Sequence, residues 1–181
     1  MMTAQPFAPR ISGFLLRSFV LPLVAIGFLA MAADQARAEA AATYMQRVQN
    51  ELIAAQKTGS ISAFSGVFRR HMAVSSIGLT ALGPHAATLP KTERPAFYNG
   101  MISFISKYSA KEGPKYPVAS AVVVGQSQET AGGATVDSRI TLRSGESYDV
   151  RWKLVREGQS FKVRDAQVVG FWMTSFLDNL F

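Results

Sequence analysis

The spacing of apolar positions changes character twice along the chain. Between Tyr44 and Tyr108 apolar residues recur with helical spacing, and from Val118 onward they alternate with polar ones. Met45, Val48, Leu52, Ile53 and Gln56 predict a helix from Tyr44 to Lys57, broken by Thr58-Gly59-Ser60. Ser60 is placed to cap a second helix with Ile61, Phe64, Val67 and Phe68 on one stripe. "AVSSIGLTALGPH" predicts a short third helix stopped at Gly83-Pro84. A fourth is expected to start at the cap Thr92, with Pro95 in its first turn, where a missing N–H does no harm. Its apolar residues run from Phe97 and Tyr98 through Met101, Ile102, Phe104 and Ile105 to Tyr108. They cover an arc of about 160°, wider than the stripe of roughly 100° on an ordinary surface helix. Such a helix meets apolar material on more than one side, either its own protein or, in part, a cavity.

In the second half "VASAVVVGQ", "ATVDSRITLR", "SYDVRWKLV" and "SFKVRDAQVV" read as four strands, joined by the turn-forming "TAGG", "RSGE" and "REGQ". Successive strands with short connectors predict an antiparallel meander. One face is apolar. The other carries Arg139, Arg143, Arg151, Lys153, Lys162 and Arg164, offset by Asp137, Asp149 and Asp165. Helices followed by a meander predict an α+β domain, with the helices covering the apolar face of a curved four-stranded sheet and a C-terminal helix closing the chain. In "VVGFWMTSFLDNLF" the last strand is expected to finish over Val168 to Phe171. Trp172, Phe176 and Leu180 would then lie on one side of the terminal helix, capping the apolar side of the sheet.

The N-terminus changes what the rest can be. Arg10 and Arg17 precede the apolar run Ser18 to Ala32, and Ala36-Arg37-Ala38 fits the small-x-small rule of a cleaved export signal. Fifteen residues interrupted by Pro22 fall short of the ~20 that span a bilayer. Residues 1–38 are therefore expected to be removed, leaving a single domain, 39–181, of 143 residues. That is long enough for a core without disulfides, in keeping with zero cysteines. Without the leader, 16 basic and 11 acidic residues remain, net +5. This moderate excess suits an anionic lipid surface or an acidic protein patch. No basic run with interleaved aromatics points to nucleic acid.

The search for catalytic chemistry returns little. There is no thiolate, and His71 and His85 stand in no metal-ligand spacing, so both are expected at the surface. No nucleophile elbow, Walker loop or dinucleotide fingerprint occurs. An acid–base enzyme of the ketosteroid-isomerase kind would need an inward carboxylate, and Asp137, Asp149 and Asp165 all alternate out of phase with the apolar residues. No catalytic residue, cofactor or metal is expected.

Residues Arg151 to Phe181, "RWKLVREGQSFKVRDAQVVGFWMTSFLDNLF", resemble the end of the toluene-tolerance or MlaC family. Trp152 stands at the family's strand tryptophan. "FKVRDAQVVG" matches its aromatic-basic-hydrophobic-x-Asp strand, with Phe161 where Trp is common. The helical half is similar too, in the Phe64 to Phe68 helix, the Ala81 to Gly83 turn and the aromatic helix ending at Tyr108. The resemblance implies a nuclear-transport-factor-2-like fold with a deep apolar pocket. It also implies a non-catalytic, monomeric periplasmic carrier of phospholipid acyl chains. Such a carrier shuttles lipid between an outer-membrane lipoprotein complex and an inner-membrane ABC transporter complex, supporting outer-membrane lipid asymmetry and solvent tolerance. Family members continue past the position of Phe181, so this copy reads as C-terminally shortened. Facing and resemblance together nominate as pocket lining Phe68, Leu79, Phe97, Met101, Phe104 and Tyr108 from the helices, and Val122, Ile140, Trp152 and Trp172 from the second half. Two other functions fit the same residues. One is an exported accessory protein with a filled core, docking through the basic face; the other is a small isomerase-like enzyme.

Overall fold

A computed structural model describes residues 41–130, 132–158 and 160–177. The expected leader to Ala38 lies outside these residues, as does Leu180; the side chain of Phe176 is likewise outside what is described. Helix α1 is described over residues 41–58, followed by α2 (Ile61–His71), α3 (Val74–Ala81) and α4 (Arg94–Glu112). Strands β1 (Val118–Thr130), β2 (Gly133–Leu142), β3 (Ser147–Glu157), β4 (Ser160–Val168) and β5 (Phe171–Trp172) come next, and α5 (Met173–Leu177) closes the described chain. The sheet is an open antiparallel meander in the order β1-β2-β3-β4-β5, so the domain is α+β.

Ser60 caps α2 as expected, its hydroxyl accepting from the Ala63 N–H at 3.3 Å. Thr92 does not cap α4. Residues 91–93 already form a turn, in which Glu93 N–H donates to the Pro90 carbonyl at 3.0 Å, and Glu93 itself leads into the helix with helical backbone angles. Pro95 still sits in the first turn, where no backbone donor is needed.

The sheet has five strands among the described residues, where the periodicity predicts four. Val168 ends β4, and Val169 (φ 50°) and Gly170 (φ 83°) turn the chain back as a two-residue hairpin. Phe171 and Trp172 therefore begin a new edge strand instead of finishing the old one. Both central residues of such a turn need positive φ, which glycine takes freely and valine only at a cost. A second irregularity lies between β3 and β4. Lys153 pairs with Asp165 but Leu154 pairs with Val163, so Arg164 is an extra residue bulged out of the ladder.

α1 crosses the inner face of the sheet. Met45 and Val48 are fully buried against Val136, Leu154, Phe161 and Val163. A second cluster of Ala55, Phe64 and Val67 joins α1 to α2, and Leu52 packs against both clusters. Beyond α2, α4 buries Met101 and Ile102, and Gly78 of α3 lets Phe97 and Tyr98 approach to 3.0 Å of where a Cβ would stand.

The free edge of β1 is covered by glutamines of α1. Gln46 Nε2 donates to the Ala121 carbonyl at 2.8 Å, and Val123 N–H donates to Gln46 Oε1 at 3.0 Å. The amide thus occupies the place of a peptide group on a neighbouring strand. Gln56 repeats the device ten residues on: it donates to the Gly113 and Tyr116 carbonyls, each at 3.0 Å, and accepts from Val118 N–H at 2.9 Å. An exposed strand edge invites pairing with other chains, and these side chains blunt it.

Candidate functional site

The same helix that fills the core also runs out of core to fill. Gln49, Leu52, Ile53 and Gln56 follow Met45 and Val48 along α1 at helical spacing, and they face open space. A cavity of about 350 Å³ lies there, walled by these four, by Tyr108 and Glu112 of α4, and by Ala121, Ile140 and Trp152 from the sheet. A second cavity, of about 250 Å³, lies beyond Leu52 and Trp152. Its wall includes Phe68 and His71 of α2, Ile77 of α3, Val163 of β4 and Met173 of α5. Leu52 and Trp152 belong to both walls and form the partition between them.

One polar node is set into this apolar lining. Ser138 is wholly buried, and its hydroxyl accepts from Trp152 Nε1 at 3.1 Å and from Gln49 Nε2. The indole that divides the cavities is therefore anchored at its nitrogen. Gln49 is 2 % exposed, and its Oε1 has no hydrogen-bond partner. A buried acceptor left unpaired costs roughly 1–3 kcal/mol.

Next to the smaller cavity stands a second polar cluster. His71, expected at the surface, is buried. Its Nδ1 lies 3.2 Å from the Tyr44 hydroxyl and its Nε2 lies 3.1 Å from Glu51 Oε2. Arg70 donates to the same carboxylate oxygen at 2.8 Å from Nη2. That hydrogen bond, ahead of the His71 contact, holds the Glu51 carboxyl below the usual carboxylate range. Burial pushes the Tyr44 phenol up to about 12. The helical spacing of α2 placed His71 beside Arg69 and Arg70; only the packing of α1 onto α2 turns it inward.

The nominated lining residues divide. Tyr108, Ile140 and Trp152 line the larger cavity, and Phe68 and Trp152 the smaller. Met101 is buried, and Leu79 and Phe97 are half-buried on α3 and α4, apart from both walls. Phe104 lies on the outer side of α4, 46 % exposed, stacked on Tyr108 with ring centroids 6.4 Å apart. Val122 belongs to the opposite face: it pairs with the outward Arg139, while Ala121 and Ile140 pair inward. Three consecutive valines hide the phase of that strand, and the alternation cannot say which two face out. Trp172 also joins the outer set. It pairs with Gln167, itself opposite Arg151, and the Lys153 ammonium sits 3.7 Å from its ring centroid. The hairpin at Val169-Gly170 is the reason, since it reverses the chain before the tryptophan. Gln49, Leu52, Ile53 and Ala121 line the site without having been singled out for it; the signal for α1 was a glutamine (Gln56) within an otherwise apolar stripe.

The basic sheet face is neutralised at two of its six positions. Arg139 pairs with Asp149 through two hydrogen bonds, of 2.8 and 3.1 Å, and Arg151 with Asp137 through two more, of 2.8 and 2.9 Å. Lys162 donates to the Arg70 carbonyl, and Lys153 covers Trp172. Arg143 and Arg164 form no ion pair among the described residues. Asp165 is not free in solvent: its carboxylate accepts from Thr174 N–H at 3.1 Å and from the Thr174 hydroxyl at 2.6 Å, holding the start of α5. No group of three or more potential metal ligands occurs among the described residues, and no described helix is long and apolar enough to cross a membrane.

A similar fold occurs in a solved phospholipid-binding protein from Ralstonia solanacearum, determined at 1.53 Å in complex with a phospholipid. The two chains superpose with a TM-score of 0.61 at 13% identity, over 78% of this chain and 84% of that one. At that identity the likeness is one of fold. No curated protein matches the sequence. The family profile described as "MlaC protein" matches residues 35–177, nearly the whole of the domain in which the two cavities lie. This chain belongs to the MlaC family.

Proposed function

We propose that this protein is a periplasmic phospholipid carrier. It takes up lipid by its acyl chains, working with an inner-membrane ABC transporter complex at one end of the route and an outer-membrane lipoprotein complex at the other. The observation that carries the reading is the pair of apolar cavities divided by Leu52 and the anchored Trp152. Membership of the MlaC family and the phospholipid held by the Ralstonia solanacearum protein support the choice of ligand. The leader-like residues 1–38 support the compartment.

Holding a lipid this way needs no reaction. Each buried methylene contributes ~0.8 kcal/mol, so ten of them supply about 8 kcal/mol, enough for micromolar binding without any polar contact. In this reading the protein is non-catalytic. The outward, arginine-paired Asp137 and Asp149 fit that, as does the structural task of Asp165.

Native mass spectrometry of the exported protein, purified gently from an expressing bacterium, tests the reading. A species heavier than the polypeptide by one phospholipid mass is expected, with the same lipid recovered by solvent extraction. A protein that shows only its own mass, and takes up no lipid from phospholipid vesicles, would rule the carrier out.

A further inference from the structure

The exposed side of α4 does not look like an ordinary solvated stripe. Phe104, Lys107, Tyr108 and Lys111 stand three or four residues apart and so share one face, which is exposed throughout. Phe104 is 46 % exposed and Tyr108 59 %, and their rings stack on each other. Tyr116, 61 % exposed, continues the aromatic row past the helix end. Lys107 and Lys111 form no ion pair among the described residues; Lys115, beside Tyr116, is held to Glu112 at 2.6 Å. Three lysines against one carboxylate leave this rim cationic, whereas Arg139 and Arg151 of the sheet face are each paired with an aspartate.

The position of the stripe says what it is for. Tyr108 and Tyr116 are at once wall residues of the larger cavity and strongly exposed, so this end of the row lies at the cavity's rim. Tyrosine prefers the water–hydrocarbon boundary, where its ring is dry and its hydroxyl wet. Lysine can lay its stem along apolar material and keep its ammonium among phosphates. Both together, on one helix face, are the composition of a surface that lies on lipid head groups. An acidic protein would use the lysines but gives no reason for three exposed rings in a row that reaches the cavity's rim.

We propose that the Phe104–Lys107–Tyr108–Lys111 face, extended by Tyr116, docks on an anionic lipid bilayer and sets the opening of the larger cavity against the head-group layer. The proposal rests on the carrier reading and adds a direct membrane contact to it. Docking this way shortens the path of an acyl chain between bilayer and cavity, since the chain need not cross open water.

The test is co-sedimentation of the exported protein with vesicles of phosphatidylcholine alone or with about a third phosphatidylglycerol. Wild type is expected to bind the anionic vesicles, to ignore the neutral ones, and to be released at high salt. Each lysine near an anionic leaflet multiplies binding roughly fivefold, so K107E/K111E is expected to bind at least about 25-fold more weakly. An unchanged circular-dichroism melt would show the variant folded, and F104S is a second probe that leaves the charge intact. The sheet-side R143E is expected to bind as wild type does. Equal binding to both vesicle types, or a K107E/K111E protein that binds like wild type, would overturn the proposal. So would a wild type that ignores anionic vesicles, which would leave the stripe to an acidic protein. Native mass spectrometry keeps the two ideas separate. A lipid-loaded protein that does not dock refutes the surface and leaves the carrier, and a docking protein that never holds lipid refutes the carrier.

Discussion

Ala121 is buried at 7 % exposure on the inner side of β1, and it lines the larger cavity. Replacing it with leucine separates a real void from a filled core, because the two cases give opposite signs. Ala121→Leu adds three carbons, about 2.4 kcal/mol of burial at ~0.8 kcal/mol each. Fixing the new rotamer returns roughly 0.5–1 kcal/mol. If the added carbons enter open space, lipid-free protein gains about 1.5–2 kcal/mol, or roughly 5 °C in melting temperature for a domain of this size. The same carbons occupy room an acyl chain would use, so lipid affinity falls by a comparable 2.4 kcal/mol, about 60-fold. The assay is a thermal melt of delipidated wild type and variant by circular dichroism, paired with displacement of a fluorescent fatty acyl probe. Were the region closely packed, the leucine would instead strain it, at about 1–3 kcal/mol of lost stability. A lower melting temperature, or a higher one with unchanged probe affinity, would refute the cavity as a lipid site.

Ser138→Ala leaves the Trp152 indole and the Gln49 amide without their shared acceptor. At ~1–3 kcal/mol for each stranded donor, a loss of about 2–6 kcal/mol is expected in urea unfolding, and one below about 1 kcal/mol would show that Trp152 is not held there. Val169→Asn should stabilise the β4–β5 hairpin. Val169 is 69 % exposed at φ 50°, asparagine tolerates that conformation, and about 1 kcal/mol is expected in guanidinium unfolding. Glu51 has its folded pKa lowered below the ordinary 4.5, chiefly by Arg70. The stabilisation this brings is fully present above pH 4.5 and is lost as pH falls through the folded value. Wild type should therefore lose stability faster than Glu51→Gln as pH drops from about 5 to about 3; stability–pH curves that stay parallel would count against the Arg70–Glu51 bond.

The sequence by itself determined the class of fold and the family. Apolar spacing of 3.6 and then 2 can be satisfied only by amphipathic helices on a one-sided sheet, and Ser60 and the Gly-rich turns set most of the breaks. The order of those elements, together with the "RWKLV" and "FKVRDAQVVG" segments, was enough to place the chain beside the MlaC family. Individual lining residues were legible only where local periodicity and tertiary facing agree, as for Tyr108, Ile140 and Trp152.

Tertiary structure decided the rest, because a side chain's surroundings depend on what crosses it. Val122 lies within a run of valines with no readable phase, and the register with Arg139 puts it outside. A two-residue hairpin at Val169-Gly170 moves Trp172 to the outer set. His71 is buried because α1 brings Tyr44 and Glu51 to it. Above all, the cavities exist because α1 and the sheet do not close on each other around Leu52 and Trp152, and α4 on one side and α2 and α3 on the other complete the walls without filling the space. An empty volume is a property of distances between elements, and no pattern within a single element records it.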